Sequence, residues 1–198
     1  MVRVLVVHDA ALLRTALVQL LRSADAFEVS SMPSLDDGPE DDGLPPDVCV
    51  VDGDCLQGPE DVPRAWFRDR LGARLVVLGA SRRPGVLRRA FDAGALGFVD
   101  KDSSSQRLIA ACHAVAKGER FLDERLTVAL LEASRMPLTT RELNVVSLAA
   151  QGAPIAEIAG CLHLSRGTVR NYMASAIRKV GARNRVDAIR IVQSAGWM

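Results

Sequence analysis

The sequence predicts a doubly wound α/β domain followed by a small all-α domain built around a helix-turn-helix. Three observations carry this. Short, nearly all-apolar runs recur five times before residue 100 and alternate with helical stretches, the pattern of a parallel sheet covered on both faces. Polar and charged residues gather directly after these runs, at the strand ends where open α/β sheets form their binding crevice. From residue 138 onward the pattern is wholly helical and the charge changes sign. A chain of 198 residues is long enough for two such domains, each with its own core.

Residues 2–7 read as a strand buried on both faces of the sheet. Leu12, Leu13, Ala16, Leu17, Leu20 and Leu21 then keep helical spacing. Further strands are expected at 27–30, 48–51, 75–78 and 96–99, with helices at 62–71 and 84–93, and one over 103–117 closing the unit. Between 32 and 46, Pro33, Pro39, Pro45 and Pro46 interrupt a segment crowded by Asp36, Asp37, Glu40, Asp41 and Asp42. Prolines and clustered like charges oppose a helix, so an irregular, solvated loop is expected, with a partner-binding or DNA-repelling role as the alternative. Leu122, Leu126, Ala129, Leu130 and Leu131 again keep helical spacing, which predicts a linker helix within 119–137. The expected division is therefore 1–118, a linker at 119–137, and 138–198.

Composition narrows the class. The 48% apolar and 4% aromatic content fits a soluble protein with an aliphatic interior. No apolar run approaches the roughly 20 residues of a spanning helix, and the N-terminus lacks the layout of a signal peptide. Cys49, Cys55, Cys112 and Cys161 show no metal or redox spacing, so they are expected to be small buried residues in a reducing cytoplasm. Residues 138–198 hold eight basic side chains against three acids, a surplus of +5, while the remainder carries −4; the overall +1 conceals this asymmetry. Such a split is the electrostatic footprint of a nucleic-acid-binding module.

Within that module Thr139 or Thr140 caps a first helix whose Leu143, Val146, Leu148 and Ala149 face inward. Pro154 opens a second, short helix. Ala156, Ala159 and Gly160 are small enough for a close crossing after the corner at 160–164. Ser165 caps the next helix, where Thr168, Val169, Tyr172, Met173, Ile177 and Val180 recur at helical spacing and Arg170, Asn171, Ala174 and Arg178 take the other face. Any two amphipathic helices share much of this. Arg170 and Asn171 near the helix start, in a basic module, point further, to a recognition helix in the major groove.

The stretch from Leu138 to Leu143, the helix pair, and the stretch from Ala182 to Ile189 resemble the DNA-binding domain of the NarL/FixJ (LuxR-type) response regulators. From Thr168 to Met198 the similarity is to the branch that includes the DesR regulators. The resemblance implies that Arg170 and Asn171 meet base edges or phosphates, with Thr168 beside them, while Arg166, Arg178 and Lys179 contact phosphates. It also implies that the final helix, about 185–195, pairs two chains through Val186, Ile189 and Val192, although a monomer core needs apolar residues there too. Half-sites about one helical turn apart follow for a dimer.

The first 118 residues resemble a receiver domain, of flavodoxin-like fold. Asp52 aligns with the phosphoryl-accepting aspartate, Lys101 with the family's lysine, Phe98 with its switch aromatic, and Asp9 with the second acid of the pair that holds Mg²⁺. A carboxylate attacks a phosphoryl donor when a hard cation and a lysine offset the accumulating negative charge. Two positions depart from the family. His8 stands where the first acid belongs, which weakens a Mg²⁺ site otherwise held by Asp9 and Asp52. Gly79 stands where the family has a Thr or Ser hydroxyl, with Ser81 two residues on. Asp54 offers a carboxylate that could restore the cation site.

The expectation is a cytoplasmic transcription regulator that binds double-stranded DNA, with no membrane association and no enzymatic activity. It acts as a homodimer or as a heterodimer with another response regulator. Its receiver is atypical, with Asp52 a vestigial phosphoacceptor and with dimerisation or a small-molecule ligand as input. One alternative is a conventional two-component regulator phosphorylated at Asp52. Another is a haloacid-dehalogenase-like phosphatase, with Asp52 as nucleophile and Asp54 as acid/base, although that motif normally follows the first strand of its domain and here follows the third. A third is an interaction module that sequesters another regulator.

Overall fold

The computed structural model describes residues 1–34, 45–56, 72–133 and 136–198. The chain divides into two compact units, Met1–Ala133 and Ser134–Met198.

The first unit is a parallel sheet of β1 (Val2–Val7), β2 (Phe27–Met32), β3 (Val48–Asp52), β4 (Arg74–Gly79), β5 (Gly97–Asp100) and β6 (Phe121–Leu122), ordered β2-β1-β3-β4-β5-β6. Helices α1 (Ala11–Arg22), α2 (Pro84–Asp92), α3 (Ser105–Ala116) and α4 (Glu124–Ala133) belong to the same unit. Alternation along the strands sends Leu5, Val7, Cys49, Val51 and Val77 to one core, with Leu87 and Phe98. It sends Val4, Val6, Val48, Val50 and Val76 to the other, with Leu108 and Val115. The strand order reverses between β1 and β3, so the carboxyl ends of these two strands frame the crevice where such folds bind ligands.

The five expected strands and the closing helix lie where the sequence places them. Residues 119–133 differ. Phe121 and Leu122 pair with Gly97 and Phe98 as a sixth strand. The helical spacing that follows holds, as α4, but its stripe of Leu126, Ala129 and Ala133 is buried, and Leu126 and Ala129 share a cluster with Leu87 and Phe98. The unit therefore ends at Ala133 rather than at 118, and the helix expected to link two domains is part of the first. The helix expected at 62–71 and residues 35–44 of the acidic loop lie outside the described residues.

The second unit consists of α5 (Thr140–Ala150), α6 (Ile155–Cys161), α7 (Arg166–Lys179) and α8 (Arg185–Ser194). Thr139 is the cap of α5, in a reciprocal box with Glu142. The buried Glu142 carboxylate also accepts from Ser175 Oγ at 2.6 Å and pairs with Lys179 Nζ at 2.7 Å, tying α5 to α7. Burial alone would raise its pKa, but Lys179, Ser175 and Thr139 outweigh that and bring it down to about 2. Ser165 caps α7 by accepting from the Thr168 N–H at 3.0 Å, and Asn184 caps α8. In the corner between α6 and α7 the left-handed residue is His163, at φ 53°, a conformation that histidine adopts more readily than most side chains. Val145, Ile158, Ala159 and Val169 form one part of the core, and Leu138, Val146, Ala176 and Val192 the other. Among the described residues, no helix is long and apolar enough to cross a membrane.

Candidate functional site

The crevice between β1 and β3 holds a tightly connected polar cluster. Asp52 ends β3 and is buried. Its Oδ1 receives Lys101 Nζ at 2.6 Å and the Asp54 N–H at 2.8 Å, while its Oδ2 lies 3.2 Å from Nε2 of the buried His8. Lys101 comes from the loop after β5 and also meets Asp54 Oδ2 at 2.9 Å. Burial alone would pull the Lys101 pKa down; the two carboxylates more than reverse this and hold it above the usual range. Arg83, just before α2, pairs with the Asp54 carboxylate. Arg14 of α1 donates to the carbonyls of His8, at 2.6 Å, and Asp9, at 3.2 Å, fixing the loop that follows β1. Asp9 itself points outward, its side chain 81% exposed.

Helix α7 exposes Arg166, Arg170, Asn171, Ala174 and Arg178 together, while Val169 and Ala176 turn into the core. Thr168 is half-buried, its hydroxyl 2.9 Å from that of Ser165. Two of the module's three acids are buried and paired: Glu142 with Lys179, and Asp187 with Arg183 and Arg190.

The family described as bacterial regulatory proteins of the luxR type matches residues 136–192, which contain all of α5, α6 and α7. Response regulator RamR of Streptomyces coelicolor is 71% identical over 198 residues, covering 100% of this chain and 98% of RamR. The chain belongs to the LuxR-type response regulators, of the NarL/FixJ kind. The transcriptional regulatory protein DesR of Bacillus subtilis is 33% identical over 199 residues, covering 100% of this chain and 99% of its own. RcsB from Salmonella enterica serovar Typhimurium, solved bound to a promoter, shares the fold, with a TM-score of 0.63 at 22% identity over 98% of each chain. The protein is thus a DNA-binding response regulator, a transcription regulator of the two-component class.

For a LuxR-type regulator the structure brings together His8, Asp52, Asp54 and Lys101, as the sequence places them, with Asp9 at the rim. Phe98 is buried in the core cluster shared with α4. Several expectations need correction. The Asp54 carboxylate, expected to restore the cation site, is paired with Arg83 and Lys101. Lys179, expected to contact phosphate, has its ammonium in an ion pair with Glu142 while its side chain stays 40% exposed. In α8, Val192 is 1% exposed and Ile189 is half-buried in the core, because the inward face runs through Ala188, Ile189 and Val192. Val186, at 74% exposed, is the member of the expected pairing set that remains available. The cysteines are not uniformly buried: Cys49 and Cys112 are, Cys55 is half-buried beside the crevice, and Cys161 is exposed.

The cation implied by the family is Mg²⁺, which takes a near-octahedral set of oxygen ligands. The donors in this crevice fit it poorly. Among the described residues, both Asp52 oxygens face partners from the chain itself, the Asp54 carboxylate is paired, and the side chains grouped with Asp9 offer an imidazole and a thiol.

Sequence reasoning missed Arg14, Arg83 and Cys55. Arg83 follows Gly79 by four residues and Cys55 follows Asp52 by three, so proximity to the strand ends was the available signal.

Gly79 has a positive structural reason to lack a side chain. A Cβ built there would lie 2.6 Å from Leu87 Cδ2, and Leu87 is fully buried. Installing the hydroxyl with Gly79→Thr is therefore expected to overpack this core and lower stability by about 1–3 kcal/mol, read as a lower thermal midpoint. An unchanged midpoint would show that Leu87 moves aside freely.

Proposed function

We propose that this regulator controls transcription with a receiver that works without phosphoryl transfer, through dimerisation (with itself or with another response regulator) or a bound small molecule. The observation that carries this is the closed set of partners on Asp52: Lys101 and the Asp54 N–H on one oxygen, His8 on the other. An aspartate with both oxygens engaged must give up these partners before it can attack a phosphoryl donor, and Gly79 offers no hydroxyl to receive a phosphoryl group; both support this reading. A cavity of about 300 Å³ between α1 and α3, walled by Leu13, Leu17, Leu20 and Leu108 and floored by His8, Asp52 and Lys101, supports the ligand arm of the reading.

In this reading the second unit supplies the DNA contacts. Arg170 and Asn171 meet bases or phosphates beside Thr168, Arg166 and Arg178 hold phosphates, and Val186 contributes to pairing of chains. The protein acts where the DNA is, in the cytoplasm. The phosphatase reading is disfavoured, because an acid/base partner must be free to exchange a proton and Asp54 is bridged to Arg83 and Lys101.

The test is intact mass after incubation with a small phosphoryl donor and Mg²⁺, beside Asp52→Asn, with dimerisation followed in the same samples. The expected result is no adduct, with dimer and DNA binding already present. An added phosphoryl mass that disappears in Asp52→Asn, with dimer gained, would restore the conventional two-component reading.

A further inference from the structure

We propose that His8, Asp9 and Cys55 form a site for a borderline-soft divalent cation, Zn²⁺, at the place where a receiver would hold Mg²⁺. Their ligand atoms all lie within 4.8 Å of one another. An imidazole, a thiolate and a carboxylate are the donor types Zn²⁺ selects, and thiolate is a donor Mg²⁺ avoids. Three protein ligands leave the fourth tetrahedral position to water, and the exposed Asp9 gives the ion a path from solvent.

The hydrogen bonds around His8 distinguish its two nitrogens. The Ala10 N–H lies 3.0 Å from Nδ1, which presents a lone pair in the tautomer whose ring proton sits on Nε2, facing Asp52 Oδ2 at 3.2 Å. That is the outer-shell arrangement of a ligating histidine: one nitrogen for the metal, the other donating to a carboxylate that orients the ring. In that tautomer the Nδ1 lone pair lies 3.0 Å from Asp9 Oδ1, a close approach of two electron-rich atoms that a proton or a metal cation between them relieves. The Ala10 N–H has a second acceptor in that same Oδ1, at 2.7 Å, so Nδ1 can be released to an ion without orphaning a donor. Arg14 already fixes the carbonyls of His8 and Asp9. Asp52 becomes the orienting group for a metal-bound histidine, and the ion ties the loop after β1 to the turn after β3.

The experiment uses the full-length protein, stripped with a chelator and free of any phosphoryl donor, so its outcome is separate from whether Asp52 is phosphorylated. Zn²⁺ is titrated against a chromophoric competitor, and Co²⁺ serves as the spectroscopic probe. The expected result is one ion per chain, bound on the order of a hundredfold more tightly than Mg²⁺. With Co²⁺, a thiolate charge-transfer band should vanish in Cys55→Ser and survive in Cys161→Ser. His8→Ala should abolish tight binding, and Asp52→Ala should weaken it roughly 10–100-fold, the usual outer-shell effect. Zn²⁺ should also protect Cys55 from alkylation in the unmutated protein, mapped by peptide mass, so the site can be read even if a variant fails to fold. Zn²⁺ binding no tighter than Mg²⁺, a band that follows Cys161, or Cys55 alkylated at the same rate with and without Zn²⁺ would each overturn the proposal.

Discussion

Glu142→Ala is expected to destabilise the second unit by roughly 3 kcal/mol, the cost of opening a buried, hydrogen-bonded ion pair together with half of a capping box. The carboxylate is 4% exposed and serves four groups: the Thr139 N–H and hydroxyl, the Ser175 hydroxyl and the Lys179 ammonium. Removing it breaks the return half of the α5 capping box, leaving Thr139 to accept from the backbone N–H of residue 142, and cuts the polar tie between α5 and α7. For a unit of this size the thermal midpoint should fall by on the order of 10–20 °C, followed by circular dichroism of the full-length chain. The same residue sets a pH dependence. Its pKa of about 2 in the folded chain lies below the 4.5 of an unperturbed glutamate. A depressed acid stabilises the fold above the unfolded pKa, and that stabilisation is lost as pH falls from about 4.5 toward 2. Glu142→Gln should flatten this part of the acid profile. A loss below about 1 kcal/mol would mean the pair behaves like a solvent-screened surface bridge.

Arg170→Ala should weaken operator binding by roughly 1–3 kcal/mol, a loss of about fivefold to 150-fold, and relax the preference at one base pair. Arg178→Ala should instead weaken binding evenly across sequences and reduce the salt slope by about 1. Fluorescence anisotropy at several salt concentrations separates the two signatures. Lys179→Ala is the informative contrast. Because its ammonium is paired with Glu142, the loss should appear first in thermal stability and only secondarily in DNA affinity. Equal sequence-independent losses for Arg170→Ala and Arg178→Ala would remove Arg170 from the base-reading role.

The parts legible in the sequence were those governed by local period and by strand ends. The apolar runs from Val2 to Val7 and from Val48 to Val51 read as central strands, and Asp52 at the end of β3 and Lys101 after β5 meet at the carboxyl edge of the parallel sheet. Ser165 and the alternation of Val169 with Arg170 fixed the face of α7. What periodicity does not encode is the surface that covers an apolar stripe. Leu126 and Ala129 keep the same spacing whether their helix spans two domains or packs on a sheet, and Val192 the same spacing whether it meets a second chain or its own core. Spatial partners of a charge are equally silent: nothing near Lys179 in sequence announces Glu142, thirty-seven positions away. Cys55 escaped for the opposite reason, since a single cysteine gains meaning only when His8 and Asp9 are folded against it.

The fit between Gly79 and Leu87 has a consequence for how this protein can change. Because the leucine methyl fills the volume that a side chain at position 79 would need, the two positions are interlocked. A hydroxyl regained at position 79 alone is expected to leave a less stable protein, relieved by a second substitution at Leu87; made first, that second substitution opens a cavity beside Leu126. Such a pair behaves as a ratchet. Once the leucine has moved in, the route back is obstructed by packing at the end of β4, whatever advantage the hydroxyl would bring.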